Sequence, residues 1–306
     1  MPAGFMRGVL HCGAVPRFDP GQVRRYYDRH TSTFLAFGRS GGVGVIHRAV
    51  WGPGVETPAQ AFHYVDERIA DLMRGLPHAD APPHVVDLGC GVAATLCHLA
   101  RRLPIRATGV TISPVQARLG AARIAAAGLA DRVTCLEGSF DTLPPSIPAA
   151  DLAYAIESFA HAADPARFFA ECRRLVRPGG VLAICDDVRQ PTTEAAATRA
   201  VVRFTRGWHL NSLVTSAELR ALAEGAGFTH EATTDLSPYL EPCSVRDRLL
   251  HAGLGWLPLA ATPLGPVLGG AALQVCLARG WTRYELAVFR RVADGPSTAP
   301  PLSAAP

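Results

Sequence analysis

The sequence predicts an α/β fold: a doubly wound, Rossmann-like, mostly parallel seven-stranded sheet, with helices in front of it and an apolar insertion near its carboxyl end. Three observations lead there. Short apolar runs alternate with helical stretches from His84 to Cys185, the order that parallel βαβ units require. The first run ends in Gly89-Cys90-Gly91, a turn with glycines where a strand hands over to a helix. The chain has 306 residues, 48% hydrophobic and 18% charged, which suits one enlarged domain and is too apolar for a disordered chain.

Residues 1–20 read as a loose leader, and 1–76 as a helical lid or substrate region. A helix is expected from about Gln22 to Phe37. A second follows Pro58, with Ala61, Phe62, Val65, Ile69, Leu72 and Met73 at helical spacing. The glycine-rich stretch Arg39–Glu56 between them reads as loop. Within 77–294, strands are expected at His84–Leu88, Arg106–Val110, Val133–Leu136, Asp151–Ala155 and Val181–Cys185. Helices are expected up to Arg102, at Pro114–Ala127 and at Pro165–Leu175. After a helix at Ser216–Ala226, strands follow at Phe228–Thr233 and Tyr284–Arg290, and the alternation in the second suits an antiparallel strand. Insertions near 190–215 and 240–280 read as substrate lids, and 295–306 as a disordered tail. Ala252–Ala278 carries no charge and is long enough to span a bilayer, but Pro258, Pro263 and Pro266 interrupt it. It reads as a broken helical segment lining an apolar pocket, with membrane-surface contact as the alternative.

The net charge is +4, and all 30 basic residues are arginine. Basic blocks are missing, which argues against a nucleic-acid partner. The eight cysteines form no C-x-x-C pair, and the start Met-Pro-Ala-Gly-Phe-Met-Arg lacks the apolar core of a signal peptide. A cytoplasmic protein with free thiols is the expectation, without stable membrane insertion; a homo-oligomer is compatible with the sequence.

Val85-Val86-Asp87-Leu88-Gly89-Cys90-Gly91-Val92-Ala93 places two glycines where a ligand must approach the backbone, and a helix N-terminus behind them. The stretch resembles the D-x-G-x-G-x-G motif of class I S-adenosylmethionine-dependent methyltransferases. Thr108 to Ala117 resembles the G-I-T-L-S-P-x-Q segment of members acting on sterols, tocopherols and prenyl diphosphates. Gly138-Ser139-Phe140-Asp141 resembles the adenine-side loop, and Leu175 to Leu182 the L-x-P-G-G turn before the fifth strand. The resemblance covers about residues 22–291 and implies S-adenosylmethionine as cofactor, held by Asp87, Gly89, Cys90, Gly91, Thr111, Ile112, Gln116, Ser139, Phe140 and Glu157. Three positions depart from the pattern. Ala93 replaces the third glycine. Thr111 stands where many members have an acid for the ribose, and Gln116 is expected to share that role. Ser139 stands where an aspartate often faces the adenine.

Ala155-Ile156-Glu157-Ser158-Phe159-Ala160-His161 follows the fourth strand and resembles an element of the sterol and geranyl diphosphate C-methyltransferases. A carboxylate at the carboxyl end of a central strand points into the ligand crevice. The resemblance implies that Glu157 stabilises a carbocation formed on alkene methylation and takes its proton. His161 and Tyr27 are further catalytic candidates. Arg25 to Thr31 and His47 to Gly52 resemble N-terminal segments of the same group, so Tyr26, Tyr27, His47, Arg48 and Trp51 are expected at the substrate, with aromatic faces available to a cation. Phe159, Arg203 and Trp208 join them. Arg39, Arg48, Arg203, Arg206, Arg246 and Arg248 are candidates to grip a diphosphate, which would bring Mg²⁺; no protein metal ligands are assigned. The leading expectation is alkene C-methylation of a hydrophobic isoprenoid, such as a prenyl diphosphate, in terpene or other specialised metabolism. Two alternatives remain: O- or N-methylation of a natural-product phenol, hydroxyl or amine with Glu157 or His161 as base, and a cofactor-binding domain without turnover.

Overall fold

A computed structural model describes residues 17–37, 44–77, 81–254 and 264–293. The expectations for residues 1–16, for Arg39 and for 295–306 lie outside the described residues, as does the middle of the apolar segment.

The chain opens with α1 (Pro20–Phe37), then α2 (Pro58–Phe62) and α3 (Tyr64–Arg74). The single helix expected after Pro58 is thus two, joined at His63. Thr57 starts α2 with a reciprocal cap: its hydroxyl accepts from the Gln60 N–H while the Gln60 side chain accepts from the Thr57 N–H.

The alternating region folds in the expected order: β1 (His84–Leu88), α4 (Ala94–Arg102), β2 (Arg106–Thr111), α5 (Pro114–Ala126), β3 (Val133–Glu137), β4 (Ala150–Ile156), α6 (Pro165–Leu175) and β5 (Val176–Arg189). Local chemistry sets the helix starts. Ser113 and Asp164 accept from first-turn amides, and Pro114 and Pro165 each follow them as the first helical residue. The strand β1 is buried along its whole length, as a strand covered on both faces must be.

Beyond β5 come α7 (Ala195–Trp208), α8 (Ser216–Gly225), β6 (Phe228–Asp235), α9 (Val245–Leu254), α10 (Gly265–Ala278) and β7 (Thr282–Arg291). The sheet order is β3-β2-β1-β4-β5-β7-β6, parallel except for β7, which runs antiparallel to both its neighbours. The strand β5 is longer than the expected Val181–Cys185 because β7 pairs with it from Val181 to Arg189. That extension carries Asp186 and Asp187 past the end of β4, into the crevice where chain order reverses beside β1.

None of the described residues of the apolar insertion lines the cavity. Among its described residues, α10 packs behind α7, and the two helices touch through glycine. A Cβ on Gly207 would stand 2.6 Å from both the Gly265 carbonyl oxygen and the Gly269 Cα. Phe204 and Trp208 of α7 reach the cavity instead, with the Trp208 indole N–H donating to the Pro266 carbonyl at 3.0 Å. Among the described residues no helix is long and apolar enough to cross a membrane.

Candidate active site

One cavity opens at the carboxyl edge of β1, β2, β4 and β5, roofed by α1 and α7. Its donor side starts at the turn after β1. Gly89 has φ +108, and a Cβ there would fall 2.3 Å from the Ser158 Cβ, so only glycine fits. Gly91 (φ +52) and Ala93 (φ +58) are also left-handed. Ala93 is fully buried and starts α4, so the departure from glycine is accommodated at some backbone strain. Asp87 lies at the floor, its pKa pushed up to about 7 by burial.

At the end of β2 the Thr111 hydroxyl donates to Gln116 Oε1 at 2.7 Å, and Gln116 Nε2 donates to Thr31 Oγ1 at 3.1 Å. A polar pair therefore stands where many family members hold one acid. Ser139 and Phe140 line the next wall. The Ser139 hydroxyl accepts from the Asp141 amide, and the Phe140 ring meets Phe168 edge-on. These groups fit S-adenosylmethionine: a glycine cradle a Cβ would block, buried polar partners after β2 and an apolar slot after β3. When bound, that cofactor would supply an electrophilic sulfonium methyl; the rest is done by the chain's own side chains.

Glu157 opens the acceptor side. It has φ +50, an uncommon state for a residue with a side chain, and its N–H donates to the Cys185 carbonyl at 2.8 Å. Its Oε1 accepts from the Arg48 amide (2.8 Å), Arg48 Nε (3.1 Å) and the Tyr284 hydroxyl (3.0 Å). The Arg48 guanidinium also grips Asp187 through Nη1 (3.0 Å) and Nη2 (2.7 Å) and lies over the Tyr284 ring. Burial alone would raise the Glu157 pKa, but Arg48 and His47 hold it below the ordinary carboxylate value. Glu157 is thus a fixed anion. Asp186 is different: it accepts from the Ala160 and Asp187 amides, and burial beside Asp187 pushes it up to about 7.

His161 is buried opposite. Its Nδ1 lies 3.2 Å from the His209 carbonyl oxygen, which can only accept, so the proton sits on Nδ1. Nε2 is then a lone pair, and it accepts from the Tyr27 hydroxyl at 2.7 Å. Burial lowers the His161 pKa to about 4 and raises that of Tyr27 well above 10. Asn211 ties this corner together: its side chain accepts from the Phe18 amide and donates to the Phe18 and His161 carbonyls.

Several expected residues do meet here. Tyr26, Tyr27, His47, Arg48, Glu157, His161 and Trp208 line the cavity with the donor-side residues, Ile112 and Cys90 included. Three others stand elsewhere. Trp51 is 37% exposed, its amide donating to the Tyr239 carbonyl, and it does not line the cavity. Phe159 turns into the core against Phe168 and Phe169, because the next residues form a short 3₁₀ turn that sends His161 inward instead. Arg203 faces His251. Arg246 pairs with Asp247, and Arg248 donates to the Cys243 carbonyl. Arg48 is thus the one arginine among the described cavity-lining residues, and two carboxylates already neutralise it.

Sequence reasoning missed Asp66, Asp186, Asp187, Asn211 and Tyr284. The adjacent acids in Cys185-Asp186-Asp187 were a usable signal, since they sit at a central strand's carboxyl end. Asn211 offered none. Outside the cavity, His63, Asp66 and His98 bring ligand-type atoms within 4.8 Å of one another. The two rings are stacked at 3.7 Å, so their in-plane lone pairs run side by side, and Asp66 already serves His47, His63 and Thr95.

A glycine turn after β1, a polar pair after β2 and an aromatic slot after β3, on this sheet order, define the class I S-adenosylmethionine-dependent methyltransferase fold. The sequence profile of a family described as methyltransferase domain matches residues 86–184. Methyltransferase GfsG of Streptomyces halstedii is 29% identical over 72% of this chain and 77% of that protein. O-methyltransferase resE of Aspergillus sclerotiorum is 28% identical, over 72% and 80%. Among solved structures, geranyl diphosphate C-methyltransferase from Streptomyces coelicolor A3(2) superposes with a TM-score of 0.66 at 20% identity, over 89% of this chain and 97% of that one. The chain is a small-molecule methyltransferase of the class I S-adenosylmethionine-dependent group.

Proposed function

We propose that this enzyme moves the methyl group of S-adenosylmethionine to a hydroxyl oxygen of an apolar small molecule, with His161 as general base. The observation that carries the reading is the state of His161: neutral, its proton held on Nδ1 by the His209 carbonyl, its Nε2 lone pair at the cavity through Tyr27. An acceptor hydroxyl replacing the Tyr27 contact would pass its proton to Nε2 as oxygen takes the methyl. The nearby Glu157 anion favours the imidazolium that results. Apolar walls from Phe18, Val23, Phe204 and Leu210 suit a hydrophobic acceptor.

The cavity's charge argues against a diphosphate. Its arginine is spent on Glu157 and Asp187, and Asp87, Asp141 and Asp186 add acid to the wall. Among the sequence relatives, resE is named as an O-methyltransferase, which supports an oxygen acceptor. One observation favours a second reading, methylation of an isoprenoid alkene. The described bonds to Glu157 all fall on Oε1, so its Oε2 remains available to an acceptor carbocation.

One incubation separates the two. The purified protein receives methyl-labelled S-adenosylmethionine with apolar phenols and alcohols, with amines, or with geranyl and farnesyl diphosphate plus Mg²⁺. His161→Gln and Glu157→Gln run beside it. Label in a hydroxylated acceptor, lost in His161→Gln while cofactor binding survives, is the expected result. Label in a prenyl product, lost in Glu157→Gln and kept in His161→Gln, would replace this reading with the alkene one.

A further inference from the structure

We propose that Cys90 and Cys135 form a reversible disulfide under peroxide, and that this modification closes the cofactor turn. The two sulfurs stand 3.5 Å apart, although the residues are 45 positions apart in sequence. Cys90 lies between the two turn glycines and lines the cavity; Cys135 lies two strands away on β3, paired in register with Gly109 of β2.

Two glycines make room for the pair. A Cβ on Gly109 would sit 2.6 Å from the Cys90 sulfur, and a Cβ on Gly120 of α5 would sit 2.8 Å from the Cys135 sulfur. Side chains at either place would push one thiol off the other. The chemistry is asymmetric as well. Either sulfur can donate to the other, but Cys135 is the more accessible of the two. Cys135 is therefore the sulfur that meets oxidant, and Cys90 the thiol that resolves it.

The steps balance. The Cys135 thiolate attacks one peroxide oxygen, the O–O bond breaks, and hydroxide leaves and is protonated to water. Cys90 sulfur then attacks the Cys135 sulfenic acid, the S–O bond breaks, and a second water forms with the Cys90 proton. In sum, two thiols and one hydrogen peroxide give one disulfide and two waters.

The sulfurs must approach by more than an ångström to reach bonding distance. The Cys90 amide is hydrogen-bonded to the Val110 carbonyl and its carbonyl to the Ala93 amide, so the turn follows the sulfur. Gly89 and Gly91 would leave the position that admits the cofactor. By linkage, bound cofactor would resist the disulfide.

The test reads cofactor binding, so it stands whatever the acceptor is. Protein is treated with hydrogen peroxide, with or without S-adenosylhomocysteine, digested without reductant and mapped by mass. Affinity for S-adenosylhomocysteine is measured by calorimetry before and after. The expected result is a peptide pair joined through Cys90 and Cys135, formed more slowly with ligand present, and a Kd raised at least about tenfold. Dithiothreitol should restore it. Cys135→Ser should keep native affinity and lose the sensitivity. Oxidation of Cys243 without a Cys90–Cys135 link, or the link with unchanged Kd, would overturn the proposal.

Discussion

Two buried histidines line one cavity, one charged and one neutral. His47, on the N-terminal side, faces Asp66 at 3.3 Å, and that carboxylate outweighs the cost of burial and raises its pKa to about 9. His161 faces a hydroxyl and a carbonyl, with no carboxylate bonded to it among the described residues, and burial lowers it to about 4. The residue type and depth are the same. The partner alone decides whether an imidazole serves as a fixed cation or as a base. His47 helps hold Glu157 ionised, while His161 is left ready to accept a proton.

The comparison breaks most visibly if His161 is changed. His161→Gln keeps a polar side chain but loses the base, and kcat/KM for a hydroxyl acceptor should fall about 10²–10⁴-fold. Calorimetry should show cofactor affinity little altered. Equal kinetics would show that His161 is only a buried structural residue.

Next comes the other histidine's partner. Asp66→Asn leaves the buried His47 charge without its counterion, which should cost about 3–5 kcal/mol in urea unfolding. His47 would then turn neutral and resemble His161. A loss under about 1 kcal/mol would mean that water or Glu157 already compensates it.

Tyr27→Phe should be milder. It removes the hydroxyl that satisfies His161 Nε2 and should cost about 1 kcal/mol of stability, with a kcat/KM loss near tenfold. A rise in activity would instead mark Tyr27 as a competitor that blocks the acceptor.

The same contrast can be sharpened by pH. His161 has a lowered folded pKa, so the unfolded chain takes up its proton first, and stability should fall as pH drops from about 6.5 toward 4. His47 has a raised folded pKa, so its contribution is complete below 6.5 and is lost as pH rises through about 9. Unfolding at several pH values should show the acid slope reduced in His161→Gln and the alkaline slope reduced in His47→Gln. Identical slopes in both variants would show that neither histidine differs between folded and unfolded states.

Much of the donor side was legible because its signals are local. Gly89 must be glycine because a Cβ there would strike Ser158, Gly91 takes the left-handed state that favours glycine, and Pro114 and Pro165 mark helix starts. The acceptor side was legible only in part. Glu157 and His161 could be named from their place after the fourth strand, but Arg48 was only one of six arginine candidates for a diphosphate, and in the structure it neutralises Glu157 and Asp187. Trp51 and Phe159 looked equally suited to the pocket, yet one faces solvent and the other the core. Composition says that a side chain is aromatic and not which way a turn points it. The two helices after Pro58 were also read as one, because an apolar period of 3.6 runs on across the break at His63.

By itself the sequence determined the alternating architecture, the cofactor turn and the places of most strands, because hydrophobic period, glycine and helix caps act over a few residues. Tertiary structure alone decided the charge of each buried group and the pairing of Arg48. It also brought Cys90 to Cys135. These depend on distances between segments up to 193 positions apart, as with Phe18 and Asn211. Burial and Coulomb energy follow those distances, and no local pattern encodes them.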